Sequence, residues 1–346
     1  MNNHEKIWLS ILKEGEMTPN ELNILDSKLV CPITDFAILQ VTGNDRYEFL
    51  QNQLTSDLNK AEVEVKPEFS SWCNLKGRVI ANFLILNTTE SYLLVLKKDM
   101  ADYVLKKLKM YILRSDVKIN DITEEMLPVG LANFKVHPGS PLVSTGGPRE
   151  DGGVFDLRVD GGYGDRPGYL IRLSDFSNRF LAITHVTQMK RVLELTNHRH
   201  DEIVNFKIWN KLDILAGFAW IDFKNKEKFL PQMLNLDKFG AVSFKKGCYV
   251  GQEVIARLHY RGKVKKSLQL FKTKYNYKLN SIEDGYLYQN DASTKIGEIL
   301  NLDNISNTTY GLAVIESDKL DKAIYADKIK MNKLEVLPMN MNFGEQ

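Results

Sequence analysis

The segment Lys245-Lys246-Gly247-Cys248-Tyr249-Val250-Gly251-Gln252-Glu253 cannot be the interior of a strand or a helix. Its two glycines weaken any regular element that contains them, and its two lysines resist burial. The chain therefore has to make a loop here. From Gln252 to Tyr260 the pattern becomes helical, with Val254, Ile255 and Leu258 on one face. This puts Cys248 just ahead of a helix N-terminus and beside Lys245 and Lys246, and both surroundings favour a thiolate. The competing reading is an inert free cysteine, whose usual neighbours are apolar.

At 346 residues the chain suits two or three domains rather than one small core. A hydrophobic share of 43% and a charged share of 26% are those of an ordinary globular protein. The net charge of +2 does not in itself call for nucleic acid or a membrane. Cys31, Cys73 and Cys248 are far apart and form no C-x-x-C pair. A disulfide framework is therefore not expected, and a reducing cytoplasm is the expected home. Met1 to Lys6 lacks the pattern of a signal peptide, and no apolar run approaches a membrane span.

Periodicity divides the chain further. Ile7, Trp8, Ile11 and Leu12 predict a short N-terminal helix ending at Gly15, and a second helix opens at Gly43-Asn44-Asp45. Phe69–Cys73, Val79–Asn87 and Tyr92–Leu96 read as hairpin-linked strands, and Asp99–Leu113 as an amphipathic helix. His137 to Gly168 is rich in glycine and proline and lacks the strand–loop–helix order of a phosphate cradle. Strands are expected at Val154–Val159 and Tyr169–Leu173, and a helix at Ile183–Glu194. Beyond Lys266, short strands at Leu268–Lys274, Gly285–Tyr288, Lys295–Leu300, Thr309–Ile315 and Lys333–Leu337 predict a small barrel or sandwich.

The nine-residue block resembles the K-G-C-Y-x-G-Q-E signature of the YgfZ family, folate-binding proteins linked to iron–sulfur enzymes and tRNA modification. The likeness continues in order through Val41–Asp45, Gln51–Asp57, Cys73–Arg78, Ala216–Phe218, Phe229–Gln232 and Val242–Lys245. It implies the aminomethyltransferase-like α+β fold, with interleaved α/β domains and a C-terminal β-barrel. The expected division is an N-terminal helical extension (1–27), a folate-binding α/β part (28–125), a second α/β part carrying the signature (126–266) and the barrel (267–346). The resemblance also implies tetrahydrofolate or another reduced folate as ligand, iron–sulfur enzymes or assembly proteins as partners, an indirect link to tRNA, and a monomer.

By the same resemblance, aromatic residues at Phe36 and Trp209 line a folate pocket, as a flat pterin requires. Read from composition alone, Trp209 is a core residue. Asp222, Gln232 and Glu253 are the candidate polar anchors, although Glu253 and Arg257 also suit a simple i,i+4 helix pair. Lys245, Lys246 and Arg257 are the candidate anion contacts, and Cys248 the candidate functional thiol. Two positions depart from the relatives. Leu215 stands where a glutamate usually precedes Ala-Gly. The segment Gly77-Arg78-Val79-Ile80-Ala81-Asn82 lacks the acid that serves folate nitrogen in the aminomethyltransferases. General acid–base work there needs a titratable group, so aminomethyl transfer is not expected.

No resident metal is expected, His198-Arg199-His200-Asp201 reading more readily as an exposed turn than as a ligand set. The basic run from Lys245 to Lys266 leaves an RNA-binding role as a further alternative, weakened by its sparse aromatics.

Overall fold

The computed structural model describes Trp8 and residues 27–58, 67–88, 90–134, 154–157, 168–173, 179–189, 203–274, 285–289, 294–305, 308–326 and 333–339. The chain divides into two compact units. One comprises Met1–Phe49, Leu58–Glu68 and Phe83–Trp209, and the other Leu50–Asp57, Phe69–Asn82 and Asn210–Gln346.

The first unit contains an antiparallel sheet built from β1 (Leu29–Pro32), β7 (Met126–Ala132), β8 (Val154–Leu157), β9 (Gly168–Arg172) and β10 (Arg179–His185), in the order β1-β7-β10-β9-β8. All seven residues of β7 are buried, so its neighbours cover both faces. Val30, Leu127, Val129, Leu131, Leu170, Phe180 and Ala182 form the core against this sheet. The helix expected over Ile183–Glu194 does not begin at Ile183, and residues 190–194 lie outside the described residues. Ile183–His185 complete β10 by pairing with Met126–Pro128, and Val186–Gln188 form a single 3-10 turn. Thr184, Val186 and Thr187 are β-branched, which disfavours a helix over this stretch, and Met189 is the first helical residue after it.

The other sheet has the order β3-β4-β5-β2-β6, from β3 (Pro67–Cys73), β4 (Val79–Asn87), β5 (Tyr92–Lys97), β2 (Phe36–Thr42) and β6 (Lys118–Asp121). Registers such as Ile38↔Val95 and Val41↔Ile119 pair β-branched side chains across strands. Helix α1 spans Arg46–Gln53 and α2 spans Lys98–Lys109. Met100, Ala101, Val104 and Leu108 give α2 its buried stripe, and Lys106, Lys107 and Lys109 complement the negative end of its dipole.

In the second unit the C-terminal strands close into a barrel, as the short-strand pattern predicts. Its order is β11-β14-β13-β12-β15-β16, from β11 (Lys266–Thr273), β12 (Tyr286–Tyr288), β13 (Lys295–Ile305), β14 (Thr308–Glu316), β15 (Ile324–Tyr325) and β16 (Lys333–Leu337). Phe271, Leu287, Ile296, Leu302, Ala313 and Ile315 fill it. Helices α3 (Phe206–Leu215) and α4 (Gln252–Arg261) precede the barrel in the chain. Phe218 packs with Phe69, Trp220 and Phe239 at centroid distances of 4.6, 5.0 and 5.0 Å, and Trp220 Nε1 donates to Asp213 Oδ2 at 3.0 Å. Among the described residues, no helix is long and apolar enough to cross a membrane.

Candidate functional site

The loop ahead of α4 is braced from below, and most of its bracing comes from Lys246. Its backbone N–H donates to Ser243 Oγ at 3.2 Å. Its side chain is buried, and the ammonium donates to Gln51 Oε1 at 3.1 Å, Leu54 O at 3.0 Å and Ser56 O at 2.6 Å. That uses all three N–H donors of a lysine. The chain before α4 is thereby tied to segment 50–57 of the same unit. Lys245, one residue earlier, is exposed.

A second brace is steric. Gly251, the N-cap of α4, has φ +84°, and a Cβ there would lie 2.5 Å from Asn74 O and 2.9 Å from Gly77 Cα. Gly77 has φ +70° and faces Val254 and Ile255. The two glycines let the 74–78 turn and the start of α4 approach backbone to backbone. Asn74 closes that turn, its Oδ1 accepting from the N–H groups of Lys76 and Arg78 at 2.9 and 3.1 Å, while its Nδ2 donates to Glu227 Oε2 at 3.2 Å.

Between these braces Cys248 is exposed, preceded by Gly247, around which a Cβ would meet nothing within 4 Å. Tyr249 then turns inward. Its ring lies 5.4 Å from Lys246 Nζ, and its buried hydroxyl has no hydrogen-bond partner. Burial, reinforced by nearby Cys73, raises the Tyr249 pKa. Burial also pushes the Cys73 thiol from 9.0 up to about 12, opposed by its contact with the Ser71 hydroxyl. The two thiols of this unit thus have contrasting surroundings, one enclosed and one displayed.

Gln232 is 3% exposed and lies in the 3-10 turn Pro231–Leu234. Its Nε2 donates to Ile255 O at 2.8 Å, and its Oε1 has no partner. Asp222 Oδ1 accepts from the Asn225 N–H at 2.9 Å. Glu253 and Arg257 form an exposed i,i+4 ion pair on α4. Arg78 donates to Lys228 O, and Lys245 is the exposed cation nearest Cys248 in sequence.

Phe36 and Trp209 fall in the first unit. Phe36 is 1% exposed, with Lys97 Nζ 5.0 Å from its ring centroid. Trp209 is 2% exposed, lies 5.0 Å from the Arg179 guanidinium and packs so closely on Gly130 that a Cβ there would be 2.2 Å from its Cε3. Both rings are covered in this structure. His198–Asp201 lie outside the described residues.

Asn82 has a role that its place in the sequence motif does not reveal. It is 2% exposed, its Nδ2 donating to Ala219 O at 2.9 Å and its Oδ1 accepting from the Ile221 N–H at 2.8 Å. A carboxylate offers no donor for Ala219 O. Asn82, in the segment that lacks an acid, therefore holds backbone and does not titrate. The only prior signal was the absence of an acid.

No protein-family model matches the chain. Among solved structures it is similar to the glycine cleavage system aminomethyltransferase T from Bartonella henselae, with a TM-score of 0.71 and 13% identity over 93% of this chain and 90% of that one. Heterotetrameric sarcosine oxidase from Corynebacterium sp. U-96 matches with a TM-score of 0.35 and 11% identity over 57% of this chain and 93% of the other. The first likeness establishes the aminomethyltransferase fold for this chain.

Proposed function

We propose that this chain is a reduced-folate-binding accessory factor of the YgfZ type, which sustains iron–sulfur enzymes, tRNA-modifying ones among them, and does not transfer aminomethyl groups. The observation that carries the reading is the displayed thiol of Cys248 on a loop braced by Lys246 and by the Gly77–Gly251 contact. Stability gains nothing from holding an exposed cysteine on so fixed a frame, whereas chemistry at sulfur does.

The Asn82 amide favours this reading over the transferase. Both its donor and its acceptor are engaged with backbone, so the segment supplies no general acid or base. For a folate, the buried and unpartnered Gln232 Oε1 is an acceptor suited to the N–H groups of a pterin edge. Phe36 and Trp209 enter the proposal as aromatic walls that must be uncovered for a ligand to touch them.

Titration of the full chain with tetrahydrofolate, read by calorimetry, is expected to show saturable binding, and flat heats would overturn the folate half. The Cys248→Ser variant is expected to fold and bind folate, yet fail to restore iron–sulfur enzyme activity in cells lacking the native factor. Full restoration would overturn the role of the thiol. Formation of methylenetetrahydrofolate from an aminomethylated lipoyl carrier protein would return the chain to the transferases.

A further inference from the structure

The far end of α4 assembles a feature that the linear sequence conceals. Phe244 precedes the signature lysines, and His259 lies fifteen residues later. Folding stacks their rings at a centroid distance of 3.7 Å and an interplanar angle of 13°. Tyr260 stands edge-on to both, at 6.3 Å from Phe244 and 4.8 Å from His259, and is 65% exposed. The half-buried Phe244 and the exposed His259 and Tyr260 thus form one cluster, while Tyr249 stays buried.

Cations flank the cluster in the chain. Lys245 adjoins Phe244 in the chain, and Arg261, Lys263 and Lys265 follow Tyr260; all four are exposed. Among the described residues none of these four has a carboxylate within ion-pair distance, whereas Arg257 is paired with Glu253 and Lys266 with Glu316. The acid that interacts with His259 is Asp237, whose carboxyl is pushed above the usual value by burial, with Lys238 and His259 opposing.

We propose that the C-terminal end of α4 and the turn after it, Phe244, Lys245, Tyr260, Arg261, Lys263 and Lys265, form a binding surface for single-stranded nucleic acid. Unpaired cations attract any polyanion. An exposed ring braced on a stacked aromatic pair selects for one with unstacked bases, because each base presents a π-face. A duplex keeps its bases stacked on one another, and an acidic peptide has none. The surface is independent of the folate and thiol proposals and is tested apart from them.

The test is fluorescence anisotropy of the full chain with a labelled short oligouridine. Four phosphate contacts predict a log–log salt slope of about −3 for a single strand. Tyr260→Ala is expected to weaken binding about ten-fold, Tyr260→Phe to retain it, and Lys263→Glu with Lys265→Glu to flatten the slope. Lys109→Glu, exposed on α2, serves as the charge control and is expected to change nothing. Absence of binding would overturn the proposal. So would equal affinity for a duplex of the same length or for oligoglutamate, or indifference to Tyr260→Ala.

Discussion

The two ends of α4 carry the same kinds of residue to opposite ends. At its N-terminus a lysine, a tyrosine and two glycines are consumed internally, with Lys246 filled by three acceptors, Tyr249 buried, and Gly251 pressed on Gly77. At its C-terminus, lysines, an arginine and a tyrosine are left open to solvent. A polar side chain with every donor used is part of the frame. One exposed beside an aromatic cluster is available to a partner. Composition does not distinguish these cases, and hydrogen bonding does.

Adjacent lysines give the largest contrast. Lys246→Met strands Gln51 Oε1, Leu54 O and Ser56 O, two of them backbone carbonyls, and is expected to cost about 3 kcal/mol. Lys245→Met, on an exposed side chain, is expected to stay within about 0.5 kcal/mol. Urea denaturation of the two variants measures both. Equal costs would dissolve the division between frame and surface.

Glycines of the same loop come next. Gly251→Ala meets Asn74 O at 2.5 Å in a left-handed conformation and is expected to cost about 2 kcal/mol. Gly247→Ala, with open space around it, is expected to be close to neutral. The same denaturation series ranks them, and a neutral Gly251→Ala would remove the steric brace.

These contrasts also mark what the sequence could convey. Strands β3 to β5 and the barrel strands other than β15 were legible because alternation and turn residues bound them, and α2 as a helix from its spacing, although it ends at Lys109 and buries Met100, Ala101, Val104 and Leu108. Strands β2 and β7 were not: nearly every residue in them is buried, so the period-2 signal vanishes into a continuous apolar run. In β10 the same loss of alternation allowed a helix to be read from Ile183. The loop and helix around Cys248 were visible in the glycine and lysine pattern. The separate fates of Lys245 and Lys246 were not, because acceptors some 190 residues away in sequence decide them. Nor was the Phe244–His259 stack, which needs α4 folded back on its own approach.

The two cysteines of the second unit sharpen the comparison through pH. Cys73 ionises near 9.0 when unfolded and near 12 when buried. Its neutral thiol therefore favours the native state fully below about pH 9, and that contribution declines as pH rises toward 12, at about 1.4 kcal/mol per pH unit. By pH 10 the deficit is on the order of 1 kcal/mol, and Cys73→Ala is expected to remove that part of the slope while Cys248→Ala leaves it intact. Alkylation of the native protein is expected to label Cys248 first and Cys73 only on unfolding. Labelling of both at the same rate would mean that the interior behind Tyr249 opens.

The smallest effect belongs to the ion pair along the exposed face of α4. Glu253 and Arg257 are 83% and 67% exposed, so water screens their attraction and two long side chains lose freedom to make it. Glu253 also lies in the first turn of α4, where a negative charge complements the dipole. Glu253→Gln removes both contributions and is expected to cost no more than about 0.5 kcal/mol at low salt, and less in molar salt. A loss well above 1 kcal/mol that persists in salt would show that Glu253 belongs to the braced end of the helix, and the boundary between frame and surface would then move a full turn along α4.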